Sequence, residues 1–317
     1  MATRRNDEKA AEIAAAASAK RYIFHGLTIE APPLLAGLYV VATPIGNLRD
    51  ITARALETLA AADLIACEDT RVTRKLTDRY GIATPLTPYH DHNAAQARPR
   101  LLQRIADGAA IALVSDAGTP LISDPGFKLV REARAGGHAV TTVPGASSVL
   151  AALTVAGLPT DRFLFEGFLP AKEGQRRKRI DELRLVPATL VLFETGPRLA
   201  AALADLAAAL GPREAAICRE LTKLHEETRR GDLVTLAAAH AEADEPRGEI
   251  VIVIAPPAEA PADALDLDAL LQQALARASV KDAVGEVAAV TGRPRREVYH
   301  RALALAQDRA GEPRHER

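Results

Sequence analysis

The sequence predicts an α/β protein made of two α/β lobes followed by a small C-terminal helical domain. Three observations lead there. Short apolar runs bounded by turn residues alternate with helical patterns along the first half, as in a parallel-rich sheet covered by helices on both faces. Past Gly157-Leu158-Pro159 the runs follow one another with fewer helical stretches between them, which fits a second lobe with a mixed sheet. From Pro256-Pro257 to Pro261 a Pro/Ala-rich linker leads into helical patterns alone.

Taken in order, residues 1 to about 35 mix charge with Ala, end near Ala31-Pro32-Pro33, and read as a mobile, partly helical tail. Gly37 opens a buried strand, Leu38-Tyr39-Val40-Val41, closed by Thr43-Pro44-Ile45-Gly46-Asn47. Further strands are expected at 64–67, 110–114 and 139–143, with helices at 51–61, 94–106 and 128–135. In the second lobe the expected strands are 163–167, 189–193, 215–219, 233–236 and 250–254. The tail should hold helices at 267–278, 280–290 and 295–306. The expected division is 1–35, 36–157, 158–256 and 257–317.

A length of 317 residues fits two domains or slightly more, and 48% apolar residues suffice for a sizeable core. The formal net charge of −1 excludes an overall basic field, so any nucleic-acid contact must come from local patches. Cys67 and Cys218 lie far apart in apolar runs and read as buried free thiols; no metal site is expected. No apolar stretch reaches the roughly 18 residues of a membrane span. The first twenty residues lack the apolar centre of a signal peptide, so a cytoplasmic location is expected.

Three loops follow first-lobe strands, where open α/β sheets bind ligands. They are Ala42-Thr43-Pro44-Ile45-Gly46-Asn47-Leu48; Ser115-Asp116-Ala117-Gly118-Thr119-Pro120 with Ser123-Asp124-Pro125-Gly126; and Val143-Pro144-Gly145-Ala146-Ser147-Ser148. Gly, Pro and small hydroxyl residues let a ligand approach the backbone. The same residues also serve as ordinary helix caps, but three such loops at one end of one sheet favour a site. None matches GxGxxG or a P-loop.

The run from Leu38 through Thr43-Pro44-Ile45-Gly46-Asn47 to Thr52 closely resembles the opening signature of the ribosomal RNA small subunit methyltransferase I family, within the tetrapyrrole-methylase superfamily. Ile65-Ala66-Cys67-Glu68-Asp69-Thr70-Arg71, the second and third loops, and Arg219-Glu220-Leu221-Thr222-Lys223 match further motifs, in order, over residues 37–255. One segment departs. Phe193-Glu194-Thr195-Gly196-Pro197-Arg198 stands where the family pattern has Tyr-Glu-Ser-Pro-His-Arg, so Glu194 and Arg198 are kept and the histidine is absent.

The resemblance implies two α/β lobes with a cofactor cleft between them. It also implies a homodimer that uses S-adenosylmethionine to 2′-O-methylate a decoding-centre cytidine of 16S rRNA in the small ribosomal subunit. By resemblance, Thr43, Pro44, Gly46, Asp116, Gly118 and Thr119 lie beside the cofactor, with Ala146, Ser147 and Ser148 near its other portion. Phe168, Leu169, Phe193 and Glu194 close the cleft from the second lobe. Glu194, Glu220 and Lys223 are candidates for a general base, and each is equally suited to a structural ion pair.

The densest basic run, Lys172, Arg176, Arg177, Lys178 and Arg179, suits RNA phosphates, although Glu173, Asp181 and Glu182 also fit a solvated helical face. The tail around Thr291-Gly292 resembles a helix-turn-helix. Two other readings keep part of this evidence. One is a methyltransferase of the same superfamily acting on a tetrapyrrole or a protein side chain, which leaves the basic run unused. The other is a non-enzymatic nucleic-acid-binding protein, which leaves the three loops without a purpose.

Overall fold

The computed structural model describes residues 20–258 and 267–311. It opens on a hairpin, β1 (Arg21–Phe24) paired antiparallel with β2 (Leu27–Glu30). This corrects the expectation of a tail through residue 35; the first 19 residues lie outside the described part. The reason is local. His25 and Gly26 both take positive φ (49° and 79°), the geometry of a two-residue hairpin turn. The Tyr22 side chain is buried in the first-lobe core, and the Ile23 N–H donates to the Tyr80 carbonyl at 2.7 Å.

The first lobe runs β3 (Gly37–Val41), α1 (Ala53–Ala61), β4 (Leu64–Cys67), α2 (Thr70–Arg79), β5 (Leu86–Pro88), α3 (Ala94–Ala106), β6 (Ala110–Val114), α4 (Phe127–Ala135), β7 (Val140–Val143) and α5 (Ser148–Ala156). Its sheet is entirely parallel, in the order β5-β4-β6-β3-β7. Every residue of β4 and β6 is buried, as continuous apolar runs require when both faces are covered. On one face Leu56 and Leu59 of α1 meet Val41, Ile65 and Val114; on the other Leu101, Ile105 and Leu129 meet Leu38, Ala66 and Ile111. Each such leucine stabilises the fold by about 1.5–3 kcal/mol relative to exposure. Because β3 sits between β6 and β7, the loops after these strands emerge side by side at the carboxyl edge.

The second lobe runs β8 (Phe163–Phe168), α6 (Glu173–Leu183), β9 (Thr189–Thr195), α7 (Gly196–Leu210), β10 (Glu214–Arg219), β11 (Glu227–Asp232), α8 (Leu233–Ala241) and β12 (Glu249–Ile254). The sheet order is β11-β10-β12-β9-β8, with only β8 and β9 parallel. The mixed sheet was expected, but one strand was misplaced. Residues 233–236 form the first turn of α8, because Asp232 caps it by accepting from the Thr235 N–H at 2.9 Å. The strand lies just before, in the charged run Glu227–Asp232, whose place at the sheet edge tolerates polar side chains.

From Pro257 the chain forms a second compact unit. Its helices α9 (Leu267–Leu275), α10 (Val280–Thr291) and α11 (Arg295–Gly311) enclose a core of their own, with Leu271, Val284, Val287, Val298 and Ala302 buried. Ser279 caps α10 at its start, and Gly292 ends it in the left-handed conformation (φ 66°). No helix among the described residues is long and apolar enough to cross a membrane.

Candidate active site

The three carboxyl-edge loops of the first lobe are stitched into one wall. Thr43 and Gly118 exchange backbone hydrogen bonds of 2.8 and 3.0 Å, and the Thr43 hydroxyl donates to the Ser115 carbonyl at 3.2 Å. The Thr119 hydroxyl donates to the Ala146 carbonyl at 3.2 Å, tying the second loop to the third. Helix α5, capped by Ser147, then buries Val149 and Leu153 against Val191, Cys218 and Val251 of the second sheet. Wall and sheet together enclose an open cleft of about 240 Å³.

Of the residues expected at a cofactor, the structure brings Gly118, Thr119, Ser147, Ser148, Phe168, Phe193 and Glu194 to the cleft surface. Phe193 meets Phe165 and Phe168 edge-on, with ring centroids 4.8 and 5.6 Å apart. Thr43 and Ala146 stand behind this surface and hold the loops together. Pro44 and Asp116 line a smaller neighbouring cavity with Val72, Thr73 and Leu76. Leu169 does not line the cleft: its side chain is buried in the second-lobe core, and its carbonyl accepts from Arg198 at 2.6 Å.

Glu194 has an unusual environment. Its side chain is 1% exposed; Oε1 accepts from the Thr195 N–H at 2.9 Å and lies 3.2 Å from the Arg198 guanidinium. Oε2 is buried without a hydrogen-bond partner among the described residues. A buried carboxylate oxygen left in this state costs free energy unless a ligand supplies the donor.

The segment Arg219-Glu220-Leu221-Thr222-Lys223 reaches the cleft from the second lobe through Leu221. Glu220 and Thr222 are held at positive φ, 50° and 67°, as are Leu121 (75°) and Ser123 (65°) in the facing loop. Such strain persists only where the surroundings fix it, and it gathers at functional sites. Two glycines make room for the segment. A Cβ on Gly248, itself at φ 100°, would sit 2.3 Å from the Glu220 carboxylate, and one on Gly46 would stand 2.4 Å from the Lys223 side chain.

Lys223 donates to Glu220 at 2.7 Å and to Glu249 at 2.8 Å. Burial works against its charge, but these carboxylates outweigh burial and hold the ammonium above its usual pKa. The bond from Lys223 in turn holds the Glu220 carboxyl below its usual range. As bases, Glu220 and Lys223 are therefore corrected. Each is neutralised by the other, and together they brace the strained turn, whose Thr222 hydroxyl accepts from the Asn47 N–H at 3.2 Å.

Beside the wall, burial pushes up the carboxyls of Glu68, Asp116 and Asp124. Asp116 is partly relieved by the Asp69 N–H, which donates to it at 3.0 Å.

The expected RNA run falls on α6 and its N-cap Lys172 and is mostly engaged elsewhere. Arg176 is corrected: it is buried in an ion pair with Asp205 at 2.7 Å and presents nothing to a partner. Arg177 pairs with Asp205 and Glu173, and Arg179 with Glu166 and Glu182. Lys172 and Lys178 alone in the run are without an ion pair among the described residues.

Sequence reasoning missed Asp124, Cys218, Gly248 and Glu249 at the cleft. Asp124 stood in a quoted loop and carried a usable signal. Cys218 reads as core in any apolar strand, and Gly248 faces Glu220 only once β10 and β12 pair. Both thiols are free and buried, as expected.

A sequence model of the family Tetrapyrrole (Corrin/Porphyrin) Methylases matches residues 37–237, and one described as the RsmI C-terminal HTH domain matches residues 261–306. A relative from Mesorhizobium japonicum, "Ribosomal RNA small subunit methyltransferase I", is 54% identical over 286 residues, covering 90% of this chain and 97% of the relative. A relative of the same name from Escherichia coli O157:H7 is 46% identical over 273 residues, covering 84% and 94%. Among solved structures, diphthine synthase superposes with a TM-score of 0.54 at 18% identity, over 69% of this chain and 89% of that one. Cobalt precorrin-4 methyltransferase gives 0.52 at 17%, over 69% and 94%. These two neighbours share the fold. The chain belongs to the tetrapyrrole methylase family and, within it, to the ribosomal RNA small subunit methyltransferase I family.

Proposed function

We propose that the chain transfers the methyl group of S-adenosylmethionine to the ribose 2′-oxygen of a decoding-centre cytidine in 16S rRNA. In this reading it acts on the small ribosomal subunit, in the cytoplasm, as a homodimer. The observation that carries the proposal is the cleft itself, with strained loops on both walls and a buried carboxylate oxygen lacking a donor, in a chain whose relatives bear the small-subunit rRNA methyltransferase name.

The residues present fit the cofactor. Gly118 and Thr119 offer close backbone approach from one wall, Ser147 and Ser148 offer hydroxyls and the start of a helix, and Glu194 offers an acceptor for an amino or hydroxyl group. Phe168 and Phe193 supply an apolar surface that excludes water. When bound, S-adenosylmethionine supplies a methyl group on a sulfonium, ready for in-line displacement by an oxygen. The protein's own part is positioning, worth on the order of 7–11 kcal/mol in favourable cases. Arg198 holds Glu194, and the Lys223–Glu220–Glu249 brace holds Leu221 at the cleft. Of the three proposed bases, Glu194 alone lines the cleft, and its buried Oε2 has no hydrogen-bond partner among the described residues.

The test is methyl transfer to small subunits from cells lacking the activity, using parent protein and Glu194→Gln. Transfer that falls in the variant supports a role for Glu194, as a base where donor binding persists and as a cofactor contact where donor binding falls with it. Undiminished transfer in the variant removes Glu194 from the mechanism.

A further inference from the structure

A second basic helix shows the opposite behaviour to α6. In α2, Thr73, Leu76 and Thr77 are buried, and every other position from Arg74 to Arg79 is exposed. Arg71, Arg74, Lys75 and Arg79 recur at the i, i+3, i+4 and i+8 spacing that puts them on one face. Over eight residues that face runs roughly 12 Å along the helix axis. Arg71 pairs with Asp69 at 2.6 Å, whereas Arg74, Lys75 and Arg79 make no ion pair among the described residues. The one carboxylate interleaved with them is Asp78.

The face adjoins the cleft wall. Helix α2 leaves the carboxyl end of β4, the sheet edge that carries the three loops, and the Asp69 N–H at its start donates to Asp116. Val72, Thr73 and Leu76 share a small cavity with Thr43, Pro44 and Leu48. The Tyr80 hydroxyl just past its end donates to the Leu48 carbonyl at 2.6 Å, in the turn Leu48–Asp50 that exposes Arg49.

Exposed, unpaired cations in a row beside a cleft, on a chain with no net positive charge, complement a phosphate backbone. Resting on the RNA substrate proposed above, we infer that the exposed face of α2, extended by Arg49, holds the phosphate backbone of the RNA beside the cleft. The carboxylates of Glu68 and Asp116 stand at the start of this helix and repel phosphates, which favours the backbone along its basic face.

The test uses the full chain, purified small ribosomal subunits and a series of salt concentrations. Arg74→Gln/Lys75→Gln/Arg79→Gln should bind subunits about tenfold or more weakly near 0.1 M salt, with a log–log salt slope shallower by about 2. Its affinity for S-adenosylmethionine and its denaturation midpoint should match the parent's. Lys172→Gln/Lys178→Gln on α6 should weaken binding less than about threefold. Arg74→Gln and Arg79→Gln alone should give smaller losses of the same kind, which guards against misfolding of the triple variant. Unchanged affinity and slope in the α2 variants overturn the inference, as does a larger loss from the α6 pair. Methyl transfer by the parent is measured in parallel. If the parent binds subunits but transfers nothing, the enzymatic reading fails while the binding data still decide the surface; if it does not bind them, both fail.

Discussion

Helices α6 and α2 look alike as sequence, each a short run dense in Lys and Arg, and the fold treats them in opposite ways. In α6 the arginines are absorbed by carboxylates from three elements: Asp205 on α7, Glu166 on β8, and Glu173 and Glu182 on α6 itself. In α2 only Arg71 has a carboxylate partner among the described residues, and Arg74, Lys75 and Arg79 face solvent. The difference lies in what each helix packs against. The face of α6 that meets α7 carries Arg176 along with Ile180 and Leu183, so a charge had to be neutralised there. The buried face of α2 holds only Leu and Thr. A cation count along the chain therefore says little about a nucleic-acid surface until the partners are known.

The contrast is sharpest at Asp205. Removing one partner of a buried pair strands the other charge, so Asp205→Ala should cost about 3–5 kcal/mol of stability, read by chemical denaturation. A loss below about 1 kcal/mol would return Arg176 to the pool of available cations.

The same distinction between engaged and open charges separates Glu194 from Lys223. Glu194→Gln removes a charged acceptor from the cleft and should lower methyl transfer by roughly 10- to 100-fold, the scale of a lost charge-assisted hydrogen bond. Gly248→Ala attacks the engaged side. Its Cβ would collide with Glu220 at a backbone angle of φ 100°, and the strain should cost about 1–3 kcal/mol with a parallel fall in transfer. Full activity in this variant would mean that the Lys223–Glu220–Glu249 brace is dispensable.

Acid titration separates engaged from unrelieved carboxylates by sign. Burial acts against Asp205, but hydrogen bonds from Arg177 and Arg176 prevail and hold its pKa below the usual range. Its stabilisation is therefore present above the unfolded value and is lost as pH falls through the folded one. Asp116 is raised, chiefly by burial. Its ionisation costs stability above the raised value, and the cost vanishes as pH falls below the unfolded one. Asp116→Asn should accordingly be more stable than the parent near neutral pH, with the gap closing towards acid in pH-dependent denaturation. The smallest effect belongs to α2, where Arg74→Gln/Arg79→Gln should change stability by no more than about 0.5 kcal/mol.

Much of the fold could be read from residue pattern. Strands 64–67 and 110–114 and helix 94–106 fall at their expected bounds because apolar runs between turns leave few alternatives. The hairpin at 21–30 was missed although Tyr-Ile-Phe, His-Gly and Leu-Thr-Ile spell it out; the Ala-rich stretch before it drew the boundary too late. Residues 233–236 read as a strand because Leu-Val-Thr-Leu satisfies both periods, and the Asp232 cap makes them the first turn of α8. At the site, the glycine and hydroxyl loops were legible as motifs. The long-range partners were not: Asp205 of Arg176 and Glu249 of Lys223 lie on elements that tertiary packing alone brings near, whereas the Glu194–Arg198 and Lys223–Glu220 pairs are local in sequence.

The central claim is tested most directly by transfer of labelled methyl from S-adenosylmethionine to small ribosomal subunits lacking the modification, followed by nuclease mapping of the label. Label on the ribose of a decoding-centre cytidine is the predicted result. Donor binding without label in the RNA, or label confined to protein, would contradict it.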